Sequence, residues 1–196
     1  MFASLRRAVL FGLALSASSA TALAQDQAAP APTDLIAALD GICVAAQGDR
    51  GQVSSLAQAQ GFAPVPESMV PRMRNSSDRA GFMRTNATDV SLVMVGTMTR
   101  RLGGETVVME FCGVSAQPAD HSAVDARLRQ VMGFAPVRGM GLEAYAWLQT
   151  PEGRAPSRSL SDAQFLDMAG TGQMRLIALD RTGRGSTLLY ILPRID

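Results

Sequence analysis

A five-residue sequence, Gly-Phe-Ala-Pro-Val, occurs twice in this chain, at residues 61–65 and again at residues 133–137. Each copy follows a segment in which apolar residues recur at helical spacing. We therefore expect Gly61 and Gly133 to end helices in the left-handed conformation that glycine adopts without steric cost. The recurrence predicts an internal duplication, which restricts the chain to folds in which two related halves share one core.

The first 24 residues have the composition of a secretory signal peptide. Arg6 and Arg7 precede an apolar run, and residues 22–24 match a small-x-small cleavage site, so we expect cleavage after Ala24. Residues 25–32 are then a flexible, proline-containing tether. No later segment is apolar enough to cross a bilayer. The sequence predicts a periplasmic or secreted protein with no stable membrane insertion after the leader is removed.

Every basic residue of the chain is an arginine, and the formal net charge is +1. Removal of the leader takes away two arginines and no acidic residue, so the mature chain is close to neutral. This balance gives no electrostatic reason to expect binding to nucleic acid. The absence of lysine excludes a Walker A phosphate loop, a Schiff-base lysine and a Ser-x-x-Lys nucleophile pair.

The two cysteines, Cys43 and Cys112, are expected to form one disulfide, because oxidising compartments favour such bonds in exported proteins. The bond would close a loop of about 70 residues, for which the chain-entropy treatment gives roughly 4 kcal/mol of stabilisation. A redox-active pair is the alternative, but the Cys-x-x-Cys spacing that would support it is missing.

The chain as a whole predicts an α+β fold in which an antiparallel sheet packs against helices. In each half, a helix and the pentapeptide are followed by a terminal hairpin, over residues 91–112 and 174–192. We expect residues 33–117 to form a first α+β half and residues 118–196 to form a second, both within one compact domain.

The strand that ends at Cys112 has apolar residues on both faces, with Val107, Met109 and Phe111 on one side. If Cys112 bridges to Cys43, the first helix covers the face of Cys112. The face of Phe111 then needs another cover: the second half, a bulge that re-aims Cys112, or a partner chain.

The sequence offers no recognisable catalytic set. His121 is the only histidine and follows Asp120 at a helix start, a position typical of a capping or solvated side chain. No Gly-x-Ser-x-Gly elbow is present, and a His-rich zinc site is impossible. We therefore expect no metal and no cofactor, and we lean against an enzyme.

Eleven methionines are a high number for this chain, and two pairs recur one helical turn apart, Met69 with Met73 and Met94 with Met98. Thioether ligation of copper(I) is one interpretation. We prefer irregular core filling, because Met94 lies in a predicted strand on the face that a core would use.

Residues 66–89 form the least regular stretch and contain four arginines. Long irregular segments within compact domains are commonly functional, and arginines suit anionic ligands or acidic partners. A solvated loop is the alternative. The candidate binding residues are Arg72, Arg74, Arg79 and Arg84.

These features predict a non-catalytic binding or interaction protein of the cell envelope, of which an inhibitor or immunity-type protein is one concrete form. Its expected partner is another envelope or exported protein, and a homodimer stays open. The alternative is a small-ligand carrier or hydrolase with an Arg/carboxylate cleft between the halves. The first function predicts exposed Tyr145 or Trp147; the second predicts an enclosed cleft where Arg72, Arg79 or Arg84 meets carboxylates.

Overall fold

The computed structural model describes residues 34–71, 73, 75–139 and 142–196. The predicted leader and tether, over residues 1–32, lie outside the described residues, as do the candidate binding residues Arg72 and Arg74. The described part of the chain is an α+β fold with a large antiparallel sheet, as the sequence predicts.

Each α-helix begins after a residue whose side chain accepts hydrogen bonds from backbone N–H groups of the first turn, which have no partner within the helix. These N-caps are Asp34, Asp49, Asp120 and Ser161. None of the helices in the described ranges is long and apolar enough to span a membrane. The helices are α1 (Leu35–Ala38), which continues as a π-helical segment (Leu39–Val44), α2 (Arg50–Ala59), α3 (His121–Met132) and α4 (Asp162–Gly170).

The sheet has the strand order β1-β2-β3-β4-β9-β8-β6-β5, with β7 paired to β6. Both predicted hairpins are confirmed, as β3–β4 and β8–β9, and both are longer than predicted. The strands are β1 (Ala63–Val65), β2 (Ser76–Thr85), β3 (Val90–Leu102), β4 (Glu105–Gln117), β5 (Val137–Gly139), β6 (Leu142–Thr150), β7 (Gly153–Pro156), β8 (Met174–Thr182) and β9 (Gly185–Ile195).

One row of paired residues crosses eight strands, and it begins and ends at the valines of the two pentapeptides. From either edge the row passes through a short strand, a longer strand and the two strands of a hairpin. It faces the side of the sheet opposite α1, α2 and α3. The same succession of strands is therefore found from the β1 edge and from the β5 edge, with a pentapeptide valine at each end of the row. The row is Val65, Gly81, Met94, Gly113, Leu189, Ala178, Ala144 and Val137.

The two glycines that open the pentapeptides adopt the predicted left-handed conformation, with φ of 80° at Gly61 and 73° at Gly133. The aromatic residue after each glycine packs against the strand that pairs with the pentapeptide. Phe62 lies beneath the guanidinium of Arg84 in β2, and Phe134 makes an edge contact with Tyr145 in β6. Each aromatic ring thus contacts the strand that pairs with its pentapeptide, through a cation in the first copy and through a tyrosine ring in the second.

Helices lie on both faces of the sheet, and each face has its own apolar core. Helices α1, α2 and α3 cover one face, where the predicted disulfide joins Cys43 to Cys112. Phe111 points to the other face, where it belongs to the same buried cluster as Phe165 of α4. The second half thus supplies the cover that the Phe111 face requires.

Candidate functional site

The structure describes two of the four candidate arginines, and both are held by contacts within the chain. Arg79 donates to Glu67 at 2.8 Å and to the carbonyl of Val70 at 3.1 Å, which fastens the short 3₁₀ turn Glu67–Met69 onto β2. Arg84 donates to the carbonyl of Gln60 at 2.9 Å. These contacts give both side chains a structural role, and their predicted role in anion binding stays a prediction.

Tyr145 and Trp147 are buried, with 3% and 2% of their surface exposed, so the expected exposed aromatic patch is wrong. Both side chains lie on the face of β6 that α1, α2 and α3 cover. Tyr145 packs against Phe134, and Trp147 lies beside Tyr190 and beneath the guanidinium of Arg154. The aromatic residues of this strand therefore belong to the core rather than to a binding surface.

A cavity of about 350 Å³ opens on the other face of the sheet. Residues of β1, β2, β3, β4, β8 and β9 contribute to its lining, together with the turn between β1 and β2. We call this cavity the methionine groove. Its apolar lining includes Met69, Met73, Met83, Met94, Leu92 and Leu189.

Some of the apolar side chains that line the methionine groove are exposed to solvent. Three large hydrophobic side chains are exposed among the described residues, Met69 (56%), Val90 (45%) and Val131 (44%), and the first two line the groove. Met94, by contrast, is 5% exposed and packs in the core as predicted. Methionine filling of the core therefore accounts for Met94 but not for Met69.

The floor of the methionine groove depends on a glycine. A Cβ at Gly113 would lie 2.6 Å from Cδ2 of Leu189 and 3.2 Å from Cγ of Met94. Glycine at this position allows those two side chains to approach each other across β4. Asp180, which is exposed at the rim, carries the only charge among the described residues that line the groove. The groove can therefore accept an apolar group with a positive charge at one side.

A second cavity, of about 300 Å³, lies beside α3 and is polar. Its lining includes His121, Asp125, Arg129, Glu143 and Tyr145; we call it the polar pocket. Arg129 donates to Asp125 at 2.9 Å, and this hydrogen bond raises the pKa of the guanidinium. Arg129 Nε is the donor and Asp125 Oδ2 is the acceptor, so the two charges form an ion pair.

Two further groups of the polar pocket bear on its chemistry. His121 Nδ1 lies 3.2 Å from the hydroxyl of the buried Ser186. The hydroxyl of Tyr145 is buried without a hydrogen-bond partner among the described residues, and burial raises its pKa. A neutral phenol in this position can donate a hydrogen bond to a ligand. Within the described ranges, no three His, Cys, Asp or Glu side chains are placed to hold a metal ion.

Sequence reasoning missed the methionine groove because residues of six separate strands build it. The spacing of Met69 and Met73 drew attention to these residues, but it did not show that they meet Leu189 from the second half. Knowledge of the register between β4 and β9 was needed to bring the residues together.

Comparisons of the chain with models of protein families, with curated proteins and with solved structures find no match. The geometry of the methionine groove and of the polar pocket is therefore the basis on which a function can be proposed.

Proposed function

We propose that this chain is a non-catalytic binding protein of the cell envelope and that the methionine groove is its binding surface. The observation that carries the proposal is the exposure of Met69 and Val90 within one apolar cavity. Clustered apolar surface of this kind is commonly a site of association. Methionines suit such a surface because their flexible, polarisable side chains adapt to the shape of a partner.

Two observations support placement of the protein outside the cytoplasm. The disulfide between Cys43 and Cys112 fits an oxidising compartment. The leader composition and the Ala22-Leu23-Ala24 sequence are typical of a cleaved signal peptide. The expected partner is accordingly another exported or envelope protein.

The polar pocket supports a second candidate function, the carriage of a small polar ligand. The supporting observation is the buried Tyr145 hydroxyl, which has no hydrogen-bond partner among the described residues and lines a cavity with Arg129 and His121. A ligand with a hydrogen-bond acceptor would satisfy that hydroxyl.

An internal duplication is also part of this proposal. It is supported by the row of pairs that begins at Val65 and ends at Val137, and by the left-handed glycines before both valines. Under this proposal, α1 with its π-helical segment and α4 are additions made to one half only. The groove then lies where the first half lacks a counterpart of α4.

The test compares two substitutions of exposed valines. Val90→Glu places a carboxylate in the methionine groove, and Val131→Glu is the matched control on α3, since the two valines are 45% and 44% exposed. Each purified variant is used to recover partners from the native envelope, with quantitative mass spectrometry as the readout. We expect one partner in stoichiometric amount with the wild type and with Val131→Glu, and its loss with Val90→Glu.

A partner that Val90→Glu recovers as well as the wild type does would remove the groove from the proposal. Fluorescence of 1-anilinonaphthalene-8-sulfonate gives a readout that needs no partner. We expect the dye to bind the wild type and Val131→Glu, and to bind Val90→Glu at least several-fold more weakly. Equal dye binding by all three proteins would contradict an accessible groove.

A further inference from the structure

The methionine groove lies at the position in the first half that corresponds to the seat of α4 in the second. The row of pairs fixes the correspondence, because Met94 of β3 and Ala178 of β8 occupy equivalent places in it. Counting back along each strand, Val90 corresponds to Met174. By the same count, Leu92 corresponds to Leu176.

Corresponding residues differ in exposure. Met174 and Leu176 are 0% and 1% exposed, and they belong to the buried cluster that contains Phe165 and Ala169 of α4. Val90 is 45% exposed, and it lines the open groove. The difference between the halves is therefore the presence of a helix over one of them.

The central strands show the same contrast. Gly113 of β4 pairs with Leu189 of β9 at the middle of the row, so Ser115 corresponds to Ile191. Ile191 is 3% exposed within the α4 cluster, whereas Ser115 lines the groove. The comparison of β3 with β8 and the comparison of β4 with β9 thus agree. The methionine groove corresponds to the surface that α4 covers in the second half, but no α-helix of the described residues covers it.

We propose that the methionine groove is the docking site for an amphipathic helix of the partner protein, an inference that rests on the proposed function. α4 indicates the chemistry of that helix: its buried residues are Phe165 and Ala169, an aromatic and a small residue one turn apart. An aromatic side chain fills the groove, and the small residue allows the helix backbone to approach the sheet. Helix-in-groove recognition commonly uses anchors at this spacing.

The charge at the rim specifies a further property of the partner helix. Asp180 is exposed beside the groove, and the other described lining residues are uncharged. A helix with an arginine or lysine near its apolar face would place that charge next to Asp180. We therefore assign the groove to a basic amphipathic helix.

The probe for this inference is a synthetic helix with the sequence of α4. A fluorescent peptide of residues 160–171 carries a hydrocarbon crosslink between positions 163 and 167, which are exposed in the protein. The crosslink is needed because isolated helices of this length are marginal in water. A second peptide adds one arginine at each end, and a third carries Phe165→Ala.

Fluorescence polarisation with the full protein gives the readout. We expect saturable binding that weakens at least tenfold with Val90→Glu and changes less than twofold with Val131→Glu. The Phe165→Ala peptide should bind at least tenfold more weakly. The added arginines should tighten binding several-fold at low salt, and Asp180→Asn should abolish that gain.

The outcomes separate this inference from the proposed function. Binding of 1-anilinonaphthalene-8-sulfonate that depends on Val90, without saturable binding of any peptide, overturns the helix and keeps the groove. Absence of both overturns both. Peptide binding that Val90→Glu leaves unchanged overturns the docking site. A homodimer in sedimentation that Val90→Glu dissociates overturns it in favour of a second copy as occupant.

Discussion

Two buried tyrosines differ in hydrogen bonding, and this difference predicts opposite effects of the same substitution. Tyr190 donates to Oε1 of Gln47 at 3.3 Å, whereas the Tyr145 hydroxyl has no partner among the described residues. Tyr190→Phe should lower the free energy of unfolding by about 1 kcal/mol, because it removes a hydrogen bond. Tyr145→Phe should leave it unchanged or raise it by up to about 1 kcal/mol. Urea denaturation of both variants checks this; a larger loss for Tyr145→Phe would contradict it.

The same tyrosines predict how stability depends on alkaline pH. Burial raises the pKa of both phenols, while an exposed tyrosine in the unfolded chain ionises near pH 10. Between these values the unfolded state has lost its protons and the folded state has kept them. The stabilisation is therefore complete below about pH 10 and is lost as pH rises through the folded values.

The measurement is the free energy of unfolding in urea from pH 8 to pH 11. The wild type should lose stability above about pH 10. The Tyr145→Phe/Tyr190→Phe double variant should lose less over the same range. Parallel curves for the two proteins would show that other groups cause the loss.

At the scale of secondary-structure elements, the glycines that end α2 and α3 should have similar effects on stability when they are replaced. Gly61 and Gly133 both have left-handed φ, and a Cβ at Gly133 would meet nothing within 4 Å. The cost of Gly133→Ala is therefore conformational, about 1–2 kcal/mol, and we expect a similar cost for Gly61→Ala. Thermal and urea unfolding provide the measurement.

Gly170→Ala is the control for these two substitutions. Gly170 lies within α4, and its Cβ would make an ordinary contact with Ile195 at 3.6 Å. Alanine in a helix is favoured over glycine by about 0.5–1 kcal/mol, so this variant should be neutral or more stable. A loss at Gly170 equal to that at Gly133 would contradict this explanation, because it would show that the loss does not come from the left-handed φ.

Local chemistry made helix boundaries and hairpins predictable from the sequence. Asp49 and Asp120 cap helices, and Gly61 and Gly133 end them as expected, because each of these effects acts within one or two turns. The two hairpins follow from alternation and from glycine-containing turns. The expected cysteine pair also follows from composition alone.

Strand β2 shows why other elements were not predictable. Asn75 and Asp78 have positive φ, and the pairing register with β3 shifts between Ser77 and Ala80. These irregularities break the alternation by which a strand is recognised. The expected exposure of the β6 aromatics was wrong for a different reason. The core under α1, α2 and α3 buries Tyr145 and Trp147 on one face of β6. The core that includes α4 buries Ala144 and Ala146 on the opposite face, so both faces of β6 are internal.

At the scale of the whole molecule, the pairing of β4 with β9 should make the two halves interdependent. The π-helical segment of the first half contacts both of these central strands, and α1 also contacts α3. A fragment of residues 33–117 would expose β4 as an unpaired edge. A fragment of residues 118–196 would expose β9 and would lose the cover that α1 supplies. Exposed edges and uncovered apolar faces both oppose folding of either fragment alone.

The corresponding experiment expresses the two fragments separately and follows far-UV circular dichroism and urea unfolding. Neither fragment alone should unfold cooperatively, whereas an equimolar mixture should regain sheet structure, because the pairing from Val107 with Ile195 to Ala116 with Ser186 can re-form between chains. The disulfide lies wholly within the first fragment. Its reduction should therefore lower the stability of the reassembled complex, but it breaks no covalent bond between the fragments. Cooperative folding of either fragment alone would show two autonomous domains, since a half that is stable by itself does not need the other half to cover its central strand.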